Sequence, residues 1–159
     1  MKKSFGVFLF IYVFLSFNAA FGQEEVIRQK ACDNPDIKAQ ADSIKKLFID
    51  KGWAVIKEAS VTMESQYELP VIFPLYQGTW YEFVFIGEMT SRLYEVRMYD
   101  WEENQVVYQK KMWGDVDGNI ISFTYIPTSS QQFMIKPLQV NKKKKGDLCG
   151  YFILMKRIK

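Results

Sequence analysis

From Trp53 onward, apolar side chains return at every second position, in runs that Gly, Pro, Asp and Asn interrupt about every ten residues. A period of two cannot give a helix one buried face. It gives a strand one buried face, because successive side chains point to opposite sides of the pleat. About eight such segments follow one another, and that rhythm implies an all-β sandwich or barrel. The stretch Gly78 to Asp100 is its expected centre: two aromatic, β-branched runs around a short polar connection, read as a β-hairpin. In the first arm Tyr81, Phe83 and Phe85 share one side, and Trp80, Val84 and Ile86 share the other with Glu82. Apolar residues on both sides predict a strand covered twice. In the second arm Tyr94, Val96 and Met98 point one way, and the half-polar set Leu93, Glu95, Arg97 and Tyr99 points the other.

The flanking segments carry their own marks. Trp53, Val55, Lys57, Ala59, Val61 and Met63 read as one face of a strand with an irregular middle. Tyr67 to Leu75 alternates, but Pro70 and Pro74 lack an N–H for a ladder, so it belongs at an edge or in an extended crossover. Gly114 to Asn119 holds two glycines and an Asp-Gly pair, a hairpin signal. Ile121, Phe123 and Tyr125 should face inward, and Leu148 to Ile158 should form the closing strand.

One helix is expected before the strands. Asn34 suits the N-cap, Pro35 the first turn, and Asp36 the positive end of the helix dipole. Ile37, Ala41, Ile44 and Phe48 then form one apolar stripe, and Gly52 is a stop. The expected fold is therefore mainly β: an antiparallel β-sandwich, jelly-roll or Ig-like, with one N-terminal amphipathic helix (about 34–51) packed on it.

The first 22 residues fall outside this pattern. Lys2 and Lys3 precede an apolar run from Phe5 to Phe17, and Ala20-Phe21-Gly22 places small residues at a cleavage site before Gln23. That is the layout of a secretory signal peptide, and the run is short of the ~20 residues that span a bilayer. The expectation is an exported chain, periplasmic or secreted, with residues 23–159 as one domain, a loose arm over 23–31, and no membrane span after cleavage. Without Lys2 and Lys3, 19 basic residues face 18 acidic ones. That balance gives no basic footprint for nucleic acid. The two cysteines, Cys32 and Cys149, are expected to pair in an oxidising compartment, closing a loop of 117 residues.

Chemistry is constrained by what is missing. The chain has no histidine, which removes the commonest general base, the Ser-His-Asp and Cys-His arrangements and most zinc sites. Ser43 and Lys46 match an S-x-x-K spacing, but the partner motifs of penicillin-recognising enzymes are absent, and a solvated helix face is the plainer reading. Asp115 and Asp117 invite a calcium reading, yet the loop lacks the Gly and Glu positions of an EF-hand and reads first as a turn. Asp100, Glu102 and Glu103 sit in one turn and cannot approach a glycosidic bond from opposite sides. Lys142 to Lys145 form a basic turn, read first as a soluble turn that blunts edge pairing and second as a contact for anionic lipid or polysaccharide. No cofactor or metal is implied. Trp101 and Trp113, with Tyr99 and Tyr108, remain as the candidate partner-binding residues, because a large aromatic in a turn is hard to bury. Trp80 reads as core.

From Trp80 the order Tyr-Glu-Phe-Val-Phe, Tyr-Glu-Val-Arg-Met-Tyr-Asp, Phe-Thr-Tyr-Ile-Pro and Gly-Tyr-Phe-Ile-Leu resembles the small β-sandwich of bacterial pre-peptidase C-terminal-like domains. The resemblance covers about half the chain, and the helix and Cys32 depart from it. More broadly the chain is similar to small exported β-sandwich proteins of the Gram-negative envelope. Both resemblances imply a non-catalytic module. The leading expectation is a binding or envelope-accessory protein that recognises a protein or glycan. The alternative is a carrier for a small ligand or lipid, with an aromatic-lined cavity under the helix.

Overall fold

The computed structural model describes residues 30–116 and 118–158. The expected leader, nearly all of the N-terminal arm and Asp117 lie outside the described residues. One helix, α1 (Pro35–Asp50), precedes eight strands: β1 (Trp53–Met63), β2 (Val71–Leu75), β3 (Tyr81–Gly87), β4 (Leu93–Tyr99), β5 (Gln105–Met112), β6 (Ile120–Tyr125), β7 (Gln131–Val140) and β8 (Leu148–Arg157). The helix starts as its sequence dictates. The Asn34 side chain accepts from the backbone N–H of Asp36 (3.1 Å) and Ile37 (3.2 Å), and Pro35 opens the first turn. It ends at Gly52, whose φ of 86° favours glycine.

The strands form two four-stranded antiparallel sheets, in the orders β1-β8-β3-β6 and β2-β7-β4-β5. The chain changes sheet at every connection except β4–β5. This is the jelly-roll member of the two expected arrangements. Between the sheets Tyr81, Phe83, Phe85, Phe123, Phe152 and Leu154 pack against Phe73, Tyr94, Val96, Met98, Phe133 and Ile135. On the outer side of the first sheet, Ile37 and Ala41 of α1 cover Val84, Ile86, Ile153 and Met155, with Ile44 and Phe48 partly buried. Each residue of β3 is buried, as its two apolar sides required.

Two hairpin expectations are corrected. Tyr81–Gly87 and Leu93–Tyr99 lie in different sheets, so Gly78 to Asp100 is an arch and not a hairpin. The reason is that each strand has a wide apolar face, and stacking the faces buries both. The arch is packed closely: a Cβ on Gly87 would lie 2.5 Å from the Tyr94 ring. Tyr94 is buried, and its hydroxyl reaches the carbonyls of Glu88 (2.7 Å) and Ser91 (2.9 Å). Strands β5 and β6, on either side of the Asp-Gly pair, also lie in different sheets and so form no hairpin.

Strand β1 departs from a single face. Its register against β8 slips between Val55 and Lys57, so Ile56 is an extra residue. Before the bulge Trp53 and Val55 pack toward α1; after it Ala59, Val61 and Met63 join the inter-sheet core. One strand therefore serves two cores. Strand β2, with Pro74, is an edge strand. Cys32 and Cys149 are joined by a disulfide, with Cα atoms 5.6 Å apart, which ties the segment before α1 to β8.

Candidate functional site

The helix covers the outer side of the first sheet, and no helix or strand among the described residues covers the outer side of the second. Register fixes what that side presents. Across β4 and β5, Arg97 stands opposite Tyr108 and Glu95 opposite Lys110; across β4 and β7, Arg97 stands opposite Lys136 and Tyr99 opposite Met134. Tyr108, Arg97 and Lys136 therefore form one row over three strands, with Tyr99 in the next.

Charge organises the row. The Arg97 guanidinium donates to Glu68 (2.9 Å) and Glu95 (2.8 Å) and lies 5.8 Å from the centre of the Tyr108 ring. Burial works against its charge, but Glu95 and Glu68 outweigh that and hold its pKa above the usual value. The Lys136 ammonium lies 5.0 Å from the centre of the Tyr99 ring and 3.5 Å from Glu68, and Lys110 is 3.7 Å from Glu95. Two tyrosine rings are thus held on a rigid sheet by flanking cations. Tyr108 keeps 45% of its surface exposed and Tyr99 is half-buried.

Trp101 extends this surface from the β4–β5 turn, with 66% of its surface exposed. The turn is closed by Asp100, whose carboxylate accepts from the backbone (2.8 Å) and side-chain (3.0 Å) N–H groups of Asn104. Those bonds hold the Asp100 pKa below the usual carboxylate value. The neighbouring Glu102 and Glu103 are exposed turn residues.

Trp113 is placed elsewhere. It is 72% exposed, but it follows β5 where Trp101 precedes it. Strand β5 alone spans roughly 26 Å at ~3.3 Å per residue. The four candidate residues are therefore two groups: Tyr99, Tyr108 and Trp101 on and beside the outer face, and Trp113 at the far end. There Trp113 lines a cleft of about 710 Å³ with Glu88, Thr90, Arg92, Asn141 and Lys142, Lys143 and Lys144. The lysine run was visible in the sequence. Arg92 carries no such signal, since nothing local sets it apart from any other charged loop residue.

The remaining candidates resolve as structure. Ser43 donates to the Ala39 carbonyl (2.9 Å) on an exposed part of α1, and Lys46 is exposed. The Asp115 carboxylate accepts from the Met112 N–H (2.7 Å) inside its turn, and Asp117 lies outside the described residues. Trp80 is 46% exposed under the Arg157 guanidinium, not core, because it precedes β3 at the rim of the first sheet. The aromatic-lined cavity expected under the helix is not found among the described residues. Ile37, Ala41, Val84, Ile86, Ile153 and Met155 fill that space, and a depression of about 260 Å³ lies beside the polar N-terminal end of α1. Glu82, buried in β3, accepts from the hydroxyls of Ser122 and Thr124 and is satisfied there.

No family model matches the chain, and no curated protein matches it at a significant level. Among solved structures the chain is similar to one described as "CBM4 structure and function", at 16% identity and a TM-score of 0.40, over 67% of this chain and 79% of that one. It is also similar to an arabinose-bound MgGH51 α-L-arabinofuranosidase (11% identity, TM-score 0.35) and to a Glycosylation Associate Protein (Gap123) complex from Streptococcus agalactiae (13%, 0.33). Those two matches each cover 66% of this chain but only 23% and 39% of the other. The resemblance to pre-peptidase C-terminal-like domains finds no match. The order of the strands stands on the pairing described above.

Proposed function

We propose that this chain is an exported, non-catalytic binding module that recognises a glycan or protein partner with the outer face of its second sheet. The observation that carries the reading is the row Tyr108–Arg97–Lys136 with Tyr99 beside it. Aromatic rings are held in place by cations on a rigid sheet, and Trp101 stands exposed at its end. Rings of this kind stack on sugar faces or cover a partner's apolar groups, while the adjacent Glu, Arg and Lys offer hydrogen bonds around them. The other sheet is occupied by its own helix. Export is supported by the signal-like leader together with the Cys32–Cys149 disulfide, which suits an oxidising compartment. No helix among the described residues is long and apolar enough to cross a membrane. A non-enzymatic role is supported by the lack of histidine and by carboxylates that are committed to ion pairs and turns.

The test is a glycan array and an envelope pull-down with the wild type, Tyr108→Ala and Trp101→Ala. Both variants should stay folded, since both side chains are exposed, and both should lose the ligand by about tenfold, in keeping with the weight of aromatic anchors at interfaces. Unchanged profiles in both would sink the outer-face reading.

A further inference from the structure

The far end of the sandwich carries a second, differently built concavity. Three connections meet there: the arch 88–92, residues 113–115 after β5 and the basic turn 141–147. Their positions are fixed by hydrogen bonds rather than left loose. The Asn141 side chain is buried; its carbonyl oxygen accepts from the N–H groups of Lys143 and Lys144 (3.0 Å each), and its amide donates to the Thr90 hydroxyl (2.9 Å). The lysine turn is thereby capped and tied to the arch. Trp113 donates its backbone N–H to the Arg92 carbonyl (2.9 Å), and Arg92 donates its own to Val140 (2.8 Å). An exposed indole and a guanidinium-bearing residue are thus joined to the strand that leads into the lysines.

The charge of this cleft is unbalanced. Lys144 pairs with Glu88 at 3.2 Å, whereas Arg92, Lys142 and Lys143 have no ion-pair partner among the described residues. Without Lys2 and Lys3 the chain is nearly balanced, with 19 basic residues against 18 acidic ones, so three cations without ion pairs in one cleft are a local excess. Cations gathered in one concavity raise the local concentration of an anionic ligand. The volume, about 710 Å³, lies within the ~300–1,000 Å³ of ordinary ligand clefts.

We infer that this cleft binds an acidic saccharide, with a sugar ring against Trp113 and its carboxylate or sulfate among Arg92, Lys142 and Lys143. Arg recognises an oxyanion through its planar fork, and Lys does so as a point charge. An indole offers a flat face to a ring. The recessed wall, with Thr90 and Asn141 between the cations, suits a hydroxylated ring carrying a discrete charge better than the flat surface of an anionic bilayer. This site is separate from the outer face proposed above: Tyr108 precedes Trp113 by five residues, roughly 16 Å along β5 at ~3.3 Å per residue, and Trp101 lies past the other end of that strand.

The experiment is affinity electrophoresis and calorimetry of the oxidised protein, expressed with its own leader, against polygalacturonate and heparin, with neutral dextran and phosphatidylserine vesicles as controls. At least one acidic polymer should bind, and binding should weaken as salt rises from about 0.05 to about 0.5 M, because exposed charges are screened. Trp113→Ala and Arg92→Gln should each weaken binding about tenfold without moving the thermal midpoint. The exposed Lys142→Gln should weaken it in the same direction, and Tyr108→Ala should leave it unchanged. The inference is overturned if neither acidic polymer binds at low salt, if dextran binds as well, or if only the vesicles bind. It is overturned too if Arg92→Gln and Trp113→Ala both bind as the wild type does. Equal loss in Tyr108→Ala would merge the two surfaces and overturn a separate site.

Discussion

Replacing Gln139 by Leu isolates the contact that holds the arch to both sheets. The side chain is wholly buried in β7. Its carbonyl oxygen accepts from the Glu88 backbone N–H (2.9 Å) and the Ser91 hydroxyl (3.1 Å), and its amide donates to the Cys149 carbonyl (3.0 Å). One side chain thus joins the second sheet, the arch and β8 of the first sheet. Leu keeps most of the volume and removes these three bonds together with the longer one from the amide to the Met63 sulfur (3.5 Å). Each buried partner stranded without a bond costs about 1–3 kcal/mol, and added apolar packing returns part of that, so a net loss of about 3 kcal/mol is expected. With a urea m-value of about 1–2 kcal/mol/M, the midpoint should fall by roughly 2 M at unchanged m. Gln139→Glu keeps the two acceptors but sets a carboxylate against the Cys149 carbonyl. It should cost more than Leu at neutral pH and recover toward pH 4, where the protonated acid can donate. Urea unfolding followed by tryptophan fluorescence reads both variants. A Gln139→Leu midpoint within about 0.3 M of wild type would mean the partners find other bonds, and the arch would not depend on this residue.

Three further outcomes follow from named contacts. Reducing the Cys32–Cys149 bridge removes a constraint on 117 residues, worth up to about 5 kcal/mol in the chain-entropy model, and should lower the melting midpoint by more than about 10 °C. Two titratable thiols in the unreduced protein would contradict the bridge. Burial, and then the charge of Glu88, push the Tyr94 phenol up to about 12 from its usual 10. A folded pKa above the unfolded one means that this contribution is complete below pH 10 and lost as pH rises through 12. Stability should therefore drop by about 2–3 kcal/mol across that window, and Tyr94→Phe should lack that part of the drop; identical curves for the two proteins would refute it. Gly87→Ala places a methyl 2.5 Å from the buried Tyr94 ring and should destabilise by about 1–3 kcal/mol in chemical denaturation, where a neutral result would mean that the arch is loosely packed.

Much of the fold is legible in the sequence wherever the cause is local. Asn34, Pro35 and Gly52 set both ends of α1 because capping and positive φ act within a few residues. The two apolar sides of Tyr81–Gly87 require two covers, and it has them. Pairing is not local in this way. Alternation says that Tyr81, Phe83 and Phe85 point inward, but it does not say whether Tyr94, Val96 and Met98 lie beside them or across from them. The connection 88–92 is long enough for either arrangement. The faces decide it, and that is a property of two strands together. The slip at Ile56 is hidden for a similar reason: it is seen only against β8. At the candidate site, exposure of Trp101 and Trp113 follows from their places next to turns, and the strand between them already implies their separation. What the sequence does not carry is the meeting of Arg92 with Trp113 and the lysine turn, since those segments come together only through the sheet changes of the jelly roll.

The helix gives the functional argument its direction. A sandwich of two sheets has two outer sides, and either side of a strand can carry a recognition surface in principle. Here Ile37 and Ala41 sink into Val84, Ile86, Ile153 and Met155, and the disulfide fastens the start of that cover to β8. Across the same sheet Lys45 pairs with Glu58 at 2.8 Å and with Asp42 at 3.0 Å, and the Glu58 bond is the main reason its pKa lies above the usual value. That pairing is intact below the usual lysine range and is lost only as pH climbs above it. The cover is therefore held by apolar contact, by charge and by a covalent bond, which suits a permanent wall and not a lid. Recognition is then left to the surfaces the helix does not reach, namely the aromatic and charged outer side of the second sheet and the cleft where the inter-sheet connections gather. Their chemistry differs: the outer side neutralises its cations with Glu68 and Glu95, while the cleft leaves Arg92, Lys142 and Lys143 without ion pairs among the described residues. A paired lattice favours shape and stacking, and an unpaired one favours an anion, so the two surfaces select for different parts of a partner.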